Sequence, residues 1–294
     1  MNHPSSFNIA RYPINAFGEV IEMAKNIEQS LEQRGLQTVK TSRIGQYRKI
    51  LEEFVGAVDK QKQQKSFSLP HFHQALFEIS QISNIVEQLL KPPVSSDWLP
   101  QVQKLVSGHL FPQTELENSV ARDIQVELLI AASCRQGGFE VEPKEPDILV
   151  RDYAGDFGIA VKRPKSTKTL EKHIRKGSDQ IEKSGIDGIL ALDLNLIQNP
   201  NNEIHEIESR DILGASVRRF VDGFIEHDSP RIRSMVKIPD VFGLLVCSSS
   251  LFYIRNELRF AVASRQAFRN LCDHSSPRCS QLRRFAMQFG ANAK

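Results

Sequence analysis

Three residues of this chain are placed where ordinary packing would not put them. Glu127 lies three, four and seven residues from Ile124, Ala131 and Val120. That spacing puts all four on one face of a helix. The face is apolar and should turn inward. A carboxylate carried with it must be paired, hydrogen-bonded or bound to a cation, unless it sits at the stripe's edge and reaches water. Asp147 follows Pro146 and opens the apolar run Ile148-Leu149-Val150; an aspartate there also serves as an ordinary turn residue. In Phe157–Arg163 the side chains alternate, with Gly158, Ala160 and Lys162 on one face and Phe157, Ile159 and Val161 on the other. A lysine in such a strand needs a charged partner, a solvated cleft or an edge position. If the three meet at one end of a sheet, the two carboxylates can hold a hard divalent cation. The lysine can orient water and stabilise charge on a phosphate. That is the chemistry of phosphodiester hydrolysis.

The order of these residues, Glu127 on a helix, Pro146-Asp147, then Ile159-Ala160-Val161-Lys162-Arg163-Pro164, resembles the PD-(D/E)xK nuclease superfamily, the restriction-endonuclease-like fold. The resemblance covers roughly residues 114–195 and leaves out the preceding helices. It implies that Asp147 is the main metal ligand and Lys162 the catalytic lysine. Glu127 would assist the metal or a water from the helix, and Gln180 on the following helix would supply a polar contact. It further implies Mg²⁺ or Mn²⁺ as cofactor, nucleic acid and foremost DNA as partner, and a setting in bacterial defence or mobile-element biology. One position departs from the pattern. The family carries Asp or Glu two residues before the lysine, where this chain has Ala160, and a methyl group binds no cation. The family sometimes moves this acid to the next helix, where Glu171 is the nearest candidate. Asp156 shares the Lys162 face but lies about 20 Å along the strand. Asp179 and Glu182 read as solvated. Three functions therefore stay open: a metal-dependent nuclease with a compensated site, a non-catalytic nucleic-acid-binding or regulatory module, and a protein-interaction scaffold built on the N-terminal helices.

The charge distribution bears on the partner. The whole chain is only +3. From Lys162 to Lys183, eight basic residues face three acidic ones, a net of +5, and from Arg255 to Lys294 eight face two, a net of +6. Arg163, Lys165, Lys168, Lys172, Arg175 and Lys176 directly follow the candidate site and form the expected phosphate-contacting surface. A solvated helix face is the alternative for either stretch.

Other motifs are weaker. Cys272, His274 and Cys279 lack the paired spacing of a zinc site. His71 and His73 flank Phe72 at a helix start, where capping or surface roles are ordinary. Ser248–Ser250 reads as a hairpin turn without the context of a hydrolase nucleophile. No GxxxxGK[ST] loop is present, so ATP hydrolysis has no support.

The elements that must position the site follow from periodicity. The 294 residues are 40% apolar and 25% charged, an ordinary globular balance. No run approaches the roughly 20 apolar residues of a membrane span, and Met1–Tyr12 does not read as a signal peptide. Four cysteines without a CxxC pair suit a reducing compartment, so a cytoplasmic location and no membrane partner are expected. Helical stripes run through Asn15–Arg34, Thr41–Asp59, Leu69–Leu90 and Trp98–Leu110, with Lys60–Ser68 as a polar linker. These helices predict a bundle over residues 1–113, open to use as a homodimer interface. Thr114 and Glu117 form a capping-box signature for a helix running to about Ser133. Strands are expected at Phe139–Glu142, Asp147–Asp152 and Phe157–Arg163, then a helix at Lys168–Lys183 and a doubly covered strand at Gly188–Leu194. A loop at Asn199–Asn202, a helix at Arg210–Glu226, a closing hairpin of Val241–Cys247 with Leu251–Arg255, and a helical tail from Arg265 complete residues 114–294. The fold class is α/β (α+β): helices, then an αβββαβ core with a mixed sheet.

Overall fold

The structure, a computed structural model, describes residues 15–36, 42–59, 69–90, 96–107, 110, 120–201, 203–272 and 276–289. Its first part is helical: α1 (Asn15–Glu32), α2 (Arg43–Asp59), α3 (Leu69–Leu89) and α4 (Leu99–Val106). A fifth helix, α5 (Val120–Gln136), leads into β1 (Glu140–Glu142), β2 (Ile148–Arg151), β3 (Phe157–Lys162), α6 (Thr167–Ser184) and β4 (Gly188–Asp193). The chain continues through α7 (Asn195–Gln198), β5 (His205–Ile207), α8 (Ala215–Arg233), β6 (Val241–Ile254), β7 (Arg259–Asn270) and α9 (Pro277–Gln288). The proposed cap at Thr114 and Glu117, the linker Lys60–Ser68 and the boundary near residue 113 lie outside the described residues.

The strands form one mixed sheet in the order β1-β2-β3-β4-β6-β5, with β7 paired to β6. The β1-β2, β2-β3 and β6-β7 pairs are antiparallel; β3-β4, β4-β6 and β5-β6 are parallel. Helices cover both faces. Phe157, Ile159, Val161, Ile189, Ala191 and Leu245 join the apolar cluster made with the N-terminal helices, α5 and α9. Ala160, Leu190, Leu192, Leu244 and Val246 join the opposite cluster, with α6 and α8. All six residues of β4 are buried, because a central strand with parallel neighbours has helices on both sides.

The N-terminal helices are not a free-standing bundle. Phe17, Phe54 and Phe72 from α1, α2 and α3 pack together, and Phe17 also meets Phe260 of β7 at 5.4 Å between ring centroids. Their apolar stripes are therefore buried on one another and on the sheet within one chain. A buried polar network adds direction. Arg122 of α5 donates to Glu78 Oε1 of α3 at 3.0 Å, and Arg43 of α2 donates to Gln125 Oε1 of α5 at 2.7 Å. Burial opposes the ionisation of Glu78, but Arg43 and Arg122 overcome it and hold its carboxyl below the ordinary value. The network fixes α5, and with it Glu127, against the helices before it.

Four expectations from the sequence are corrected. Val241–Cys247 and Leu251–Arg255 are not two hairpin strands. They belong to β6, which runs unbroken and pairs with β4 through its first half and β5 through its end. Ser248–Ser250 is thus mid-strand rather than a turn. Asn195 of α7 satisfies it, accepting from the Ser249 N–H at 2.5 Å and the Ser248 hydroxyl at 3.1 Å. The tail after Arg265 continues as β7, since pairing along β6 outweighs local helical preference; the helix begins only at Pro277. The helix expected at Arg210–Glu226 opens as a 3₁₀ turn at Arg210–Ile212. It restarts after Gly214, whose φ of +75° suits a residue without a side chain, and extends to Arg233. Among the described residues no helix is long and apolar enough to cross a membrane.

Candidate active site

Asp147 immediately precedes β2, and Lys162 ends β3. Because β2 and β3 are antiparallel, the start of one lies beside the end of the other. Asp147 Oδ2 accepts from the Val161 N–H at 2.7 Å and from Lys162 Nζ at 3.1 Å. Lys162 Nζ also donates to the Val161 carbonyl at 2.7 Å. The other oxygen, Oδ1, accepts from Gln180 Nε2 of α6 at 2.7 Å, and the same amide donates to the Pro146 carbonyl. The Pro-Asp step and the lysine two elements later are therefore one hydrogen-bonded unit.

Two glycines make this fit possible. A Cβ on Gly158 would sit 2.4 Å from Pro146 Cδ, so only glycine lets β3 pass beneath the Pro-Asp step. A Cβ on Gly177 would sit 2.4 Å from Leu190 Cδ1 and 3.2 Å from Lys162 Cγ. Its absence brings α6 down onto β3 and β4, with the lysine stem against the helix. The same face of α6 then presents His173, Lys176 and Gln180, residues three and four positions apart.

A cleft of about 630 Å³ opens here, lined by Glu127, Asp147, Lys162, Arg163, Lys176 and Gln180, together with Asp123, Glu145, His173, Asp179 and Lys183. Burial, with the neighbouring Asp147 charge, pushes the Glu127 carboxyl up to about 8. Burial also raises Asp147, although Lys162 and the Val161 N–H oppose it. His173 is lowered, by burial first and with Lys162 and Lys176 contributing, which favours the neutral imidazole.

Several of the residues singled out in the sequence thus converge and others do not. Glu127, Asp147, Lys162, Gln180, Arg163 and Lys176 share the cleft. Glu171 does not fill the gap left by Ala160. It lies on the exposed side of α6, ion-paired with Arg175 at 3.0 Å and Arg231 at 3.6 Å. Arg175 is occupied by the same pair, and Lys165, Lys168 and Lys172 are not among the cleft-lining residues. Arg163 is drawn inward, with Nε 3.4 Å from Asp193 Oδ2 and Nη1 3.9 Å from Asp123 Oδ1. Asp179, read as solvated, is ion-paired with Lys237 at 2.9 Å. Sequence reasoning missed Asp123, one turn before Glu127, and His173, whose seven-residue spacing to Gln180 marked the shared face. Cys272 and Cys279 both meet the Asn270 side chain, and His274 lies outside the described residues.

Ala160 is fully buried in the apolar cluster with Leu170 and Leu190. Among the described residues, no group of three or more His, Cys, Asp or Glu side chains could hold a metal ion. The donor set nevertheless suits a hard cation bound in part by substrate. The position between Asp147 Oδ2 and the Val161 carbonyl is taken by the Lys162 ammonium, and Glu127 shares the cleft. Mg²⁺ is commonly bound through one or two carboxylates, waters and substrate phosphate oxygens, and Asp147 and Glu127 are the carboxylates that would hold it here. Compared with protein-family models, curated proteins and solved structures, the chain has no significant match among any of them.

Proposed function

We propose that this protein is a divalent-metal-dependent nuclease whose reaction centre is Glu127, Asp147 and Lys162. The observation that carries this reading is the meeting of those three side chains in one cleft bordered by Lys176 and Lys183 of α6. A bound Mg²⁺ would polarise the scissile phosphate and lower the pKa of a water. Asp147 binds and orients. Lys162 places its positive charge where negative charge develops on the phosphoryl oxygens, which is usually the largest catalytic contribution. Glu127, in the same cleft, would assist the metal or the attacking water once a bound cation offsets the burial that otherwise keeps its carboxyl protonated. Purified protein with Mg²⁺ or Mn²⁺ and mixed DNA and RNA substrates tests the reading. Cleavage that requires metal and disappears in both Asp147→Ala and Lys162→Ala supports it. No cleavage, or cleavage that survives either change, overturns it.

A second reading is favoured by one observation, the buried methyl of Ala160 in place of a third acid. On that reading the same cleft binds nucleic acid without cutting it. Salt-sensitive binding with no metal-dependent product identifies this case; cleavage abolished by Asp147→Ala excludes it.

A further inference from the structure

A second cavity, of about 570 Å³, lies between α3, α5 and the β6-β7 ribbon. Its origin is legible along β6. The side chains facing the N-terminal helices include Leu245, Leu251 and Tyr253, all buried and apolar. Between them come Cys247 and Ser249, small groups where a core would call for large ones. In the β6-β7 register Cys247 faces Gln266 and Ser249 faces Ser264. Two strands therefore fall short at the same place. α3 turns Asn84 and Gln88 toward that gap, one helical turn apart, and α5 adds Ser133. A void lined by amides and hydroxyls results where three core faces meet. Its size falls within the range of small-molecule sites.

Asp193, at the carboxyl end of β4, lines this cavity and is 2% exposed. Its Oδ1 accepts from the Asn195 N–H at 3.1 Å. Its Oδ2 is buried and ion-paired with Arg163, whose Nε lies 3.4 Å away without completing a hydrogen bond. A carboxylate oxygen accepts more than one donor, so a donor delivered by a ligand would add to the Arg163 pair. No lysine, arginine or histidine is among the described residues that line the cavity. Acceptors and amides without a cation select against phosphates and other anions. Apolar positions such as Leu129 and Ile130 offer surface for a flat ring. Amide side chains read base edges in pairs of hydrogen bonds, and a carboxylate accepts from an exocyclic amine.

We propose that this cavity is a binding site for an amino-bearing nucleobase, with Asp193 accepting from the exocyclic amine. The occupant is a free nucleoside, since a base within a strand would bring its phosphates with it. Calorimetric titration of the full chain with adenosine, cytidine, uridine and adenosine monophosphate tests it. Adenosine or cytidine should bind at least tenfold more tightly than uridine, which lacks the amine, and than the monophosphate, which brings an anion. Asp193→Asn should erase the preference over uridine. Ser264→Phe, at an exposed rim position, should block binding while leaving the melting temperature near that of the wild type. That second variant keeps the test decisive should Asp193→Asn fail to fold. Adenosine that binds without displacing an intact single strand supports the free nucleoside as occupant; displacement of that strand, but not of the same strand made abasic, overturns it. Absence of nucleoside binding, equal binding of the monophosphate, or unchanged binding in Ser264→Phe overturns the proposal.

Discussion

The Glu127→Gln substitution tests the electrostatics of the cleft without relying on activity. The carboxyl is raised from an ordinary 4.5 to about 8, chiefly because it is buried, with Asp147 beside it. Below about pH 4.5 it is protonated in both folded and unfolded chains. Between there and about pH 8 the folded protein keeps a proton that the unfolded chain has released, so stability falls as pH rises. At about 1.36 kcal/mol per pH decade, the full interval corresponds to about 5 kcal/mol. Residual contact with water reduces this to about 2–3 kcal/mol in practice. Glutamine matches the shape of the neutral acid and carries no proton to lose. In urea titrations, wild type and Glu127→Gln should agree within about 1 kcal/mol at pH 5. At pH 8 the variant should be the more stable by about 2–3 kcal/mol. Millimolar Mg²⁺ should narrow that gap by stabilising wild type alone, since a cation that binds only the folded chain favours it. Parallel pH profiles for the two proteins would refute the argument that burial and Asp147 hold this carboxyl neutral.

Three further outcomes follow from the same structure. Gly158→Ala must displace Pro146 and with it Asp147, and should cost about 1–3 kcal/mol in denaturant melts and lower metal-dependent cleavage. Arg122→Ala leaves Glu78 charged in the core and should destabilise by about 3–5 kcal/mol, measured by chemical denaturation at pH 7, where a change under 1 kcal/mol would argue that the network is idle. Charge reversal at Lys176 and Lys183 should weaken nucleic-acid binding and reduce the slope of log affinity against log salt by about 0.7–0.9 for each phosphate that is no longer neutralised; an unchanged slope would move the binding surface elsewhere.

Much of the frame is legible in residue pattern. The stripes that predict α1, α2 and α3 match the observed helices within a few residues, because an apolar face repeating every three to four residues has few other ways to be buried. The apolar run at Gly188–Leu194 marked a doubly covered strand for the same reason, and the observed strand ends one residue earlier. The failures fall where long-range pairing overrides local preference. Three serines in a row suggest a turn, yet Asn195 and the flanking strands hold Ser248–Ser250 extended. The tail from Arg265 reads as helix, yet β6 draws it into the sheet as far as Asn270.

The candidate site divides along the same line. Sequence alone singled out Glu127, Asp147 and Lys162 as charges in or beside apolar stripes and strands, and left a stripe edge, a turn and an edge strand as ordinary alternatives. By the resemblance to the PD-(D/E)xK pattern, Ala160 stands where that family carries an acid. Only the tertiary structure decided that Asp147 and Lys162 share a hydrogen bond and that Gln180 completes the shell of Asp147. It likewise turned Glu171 outward to Arg175 and Arg231, and drew Arg163 inward to Asp193. Those outcomes depend on distances between elements far apart in the chain, set by how closely Gly158 and Gly177 allow their neighbours to approach.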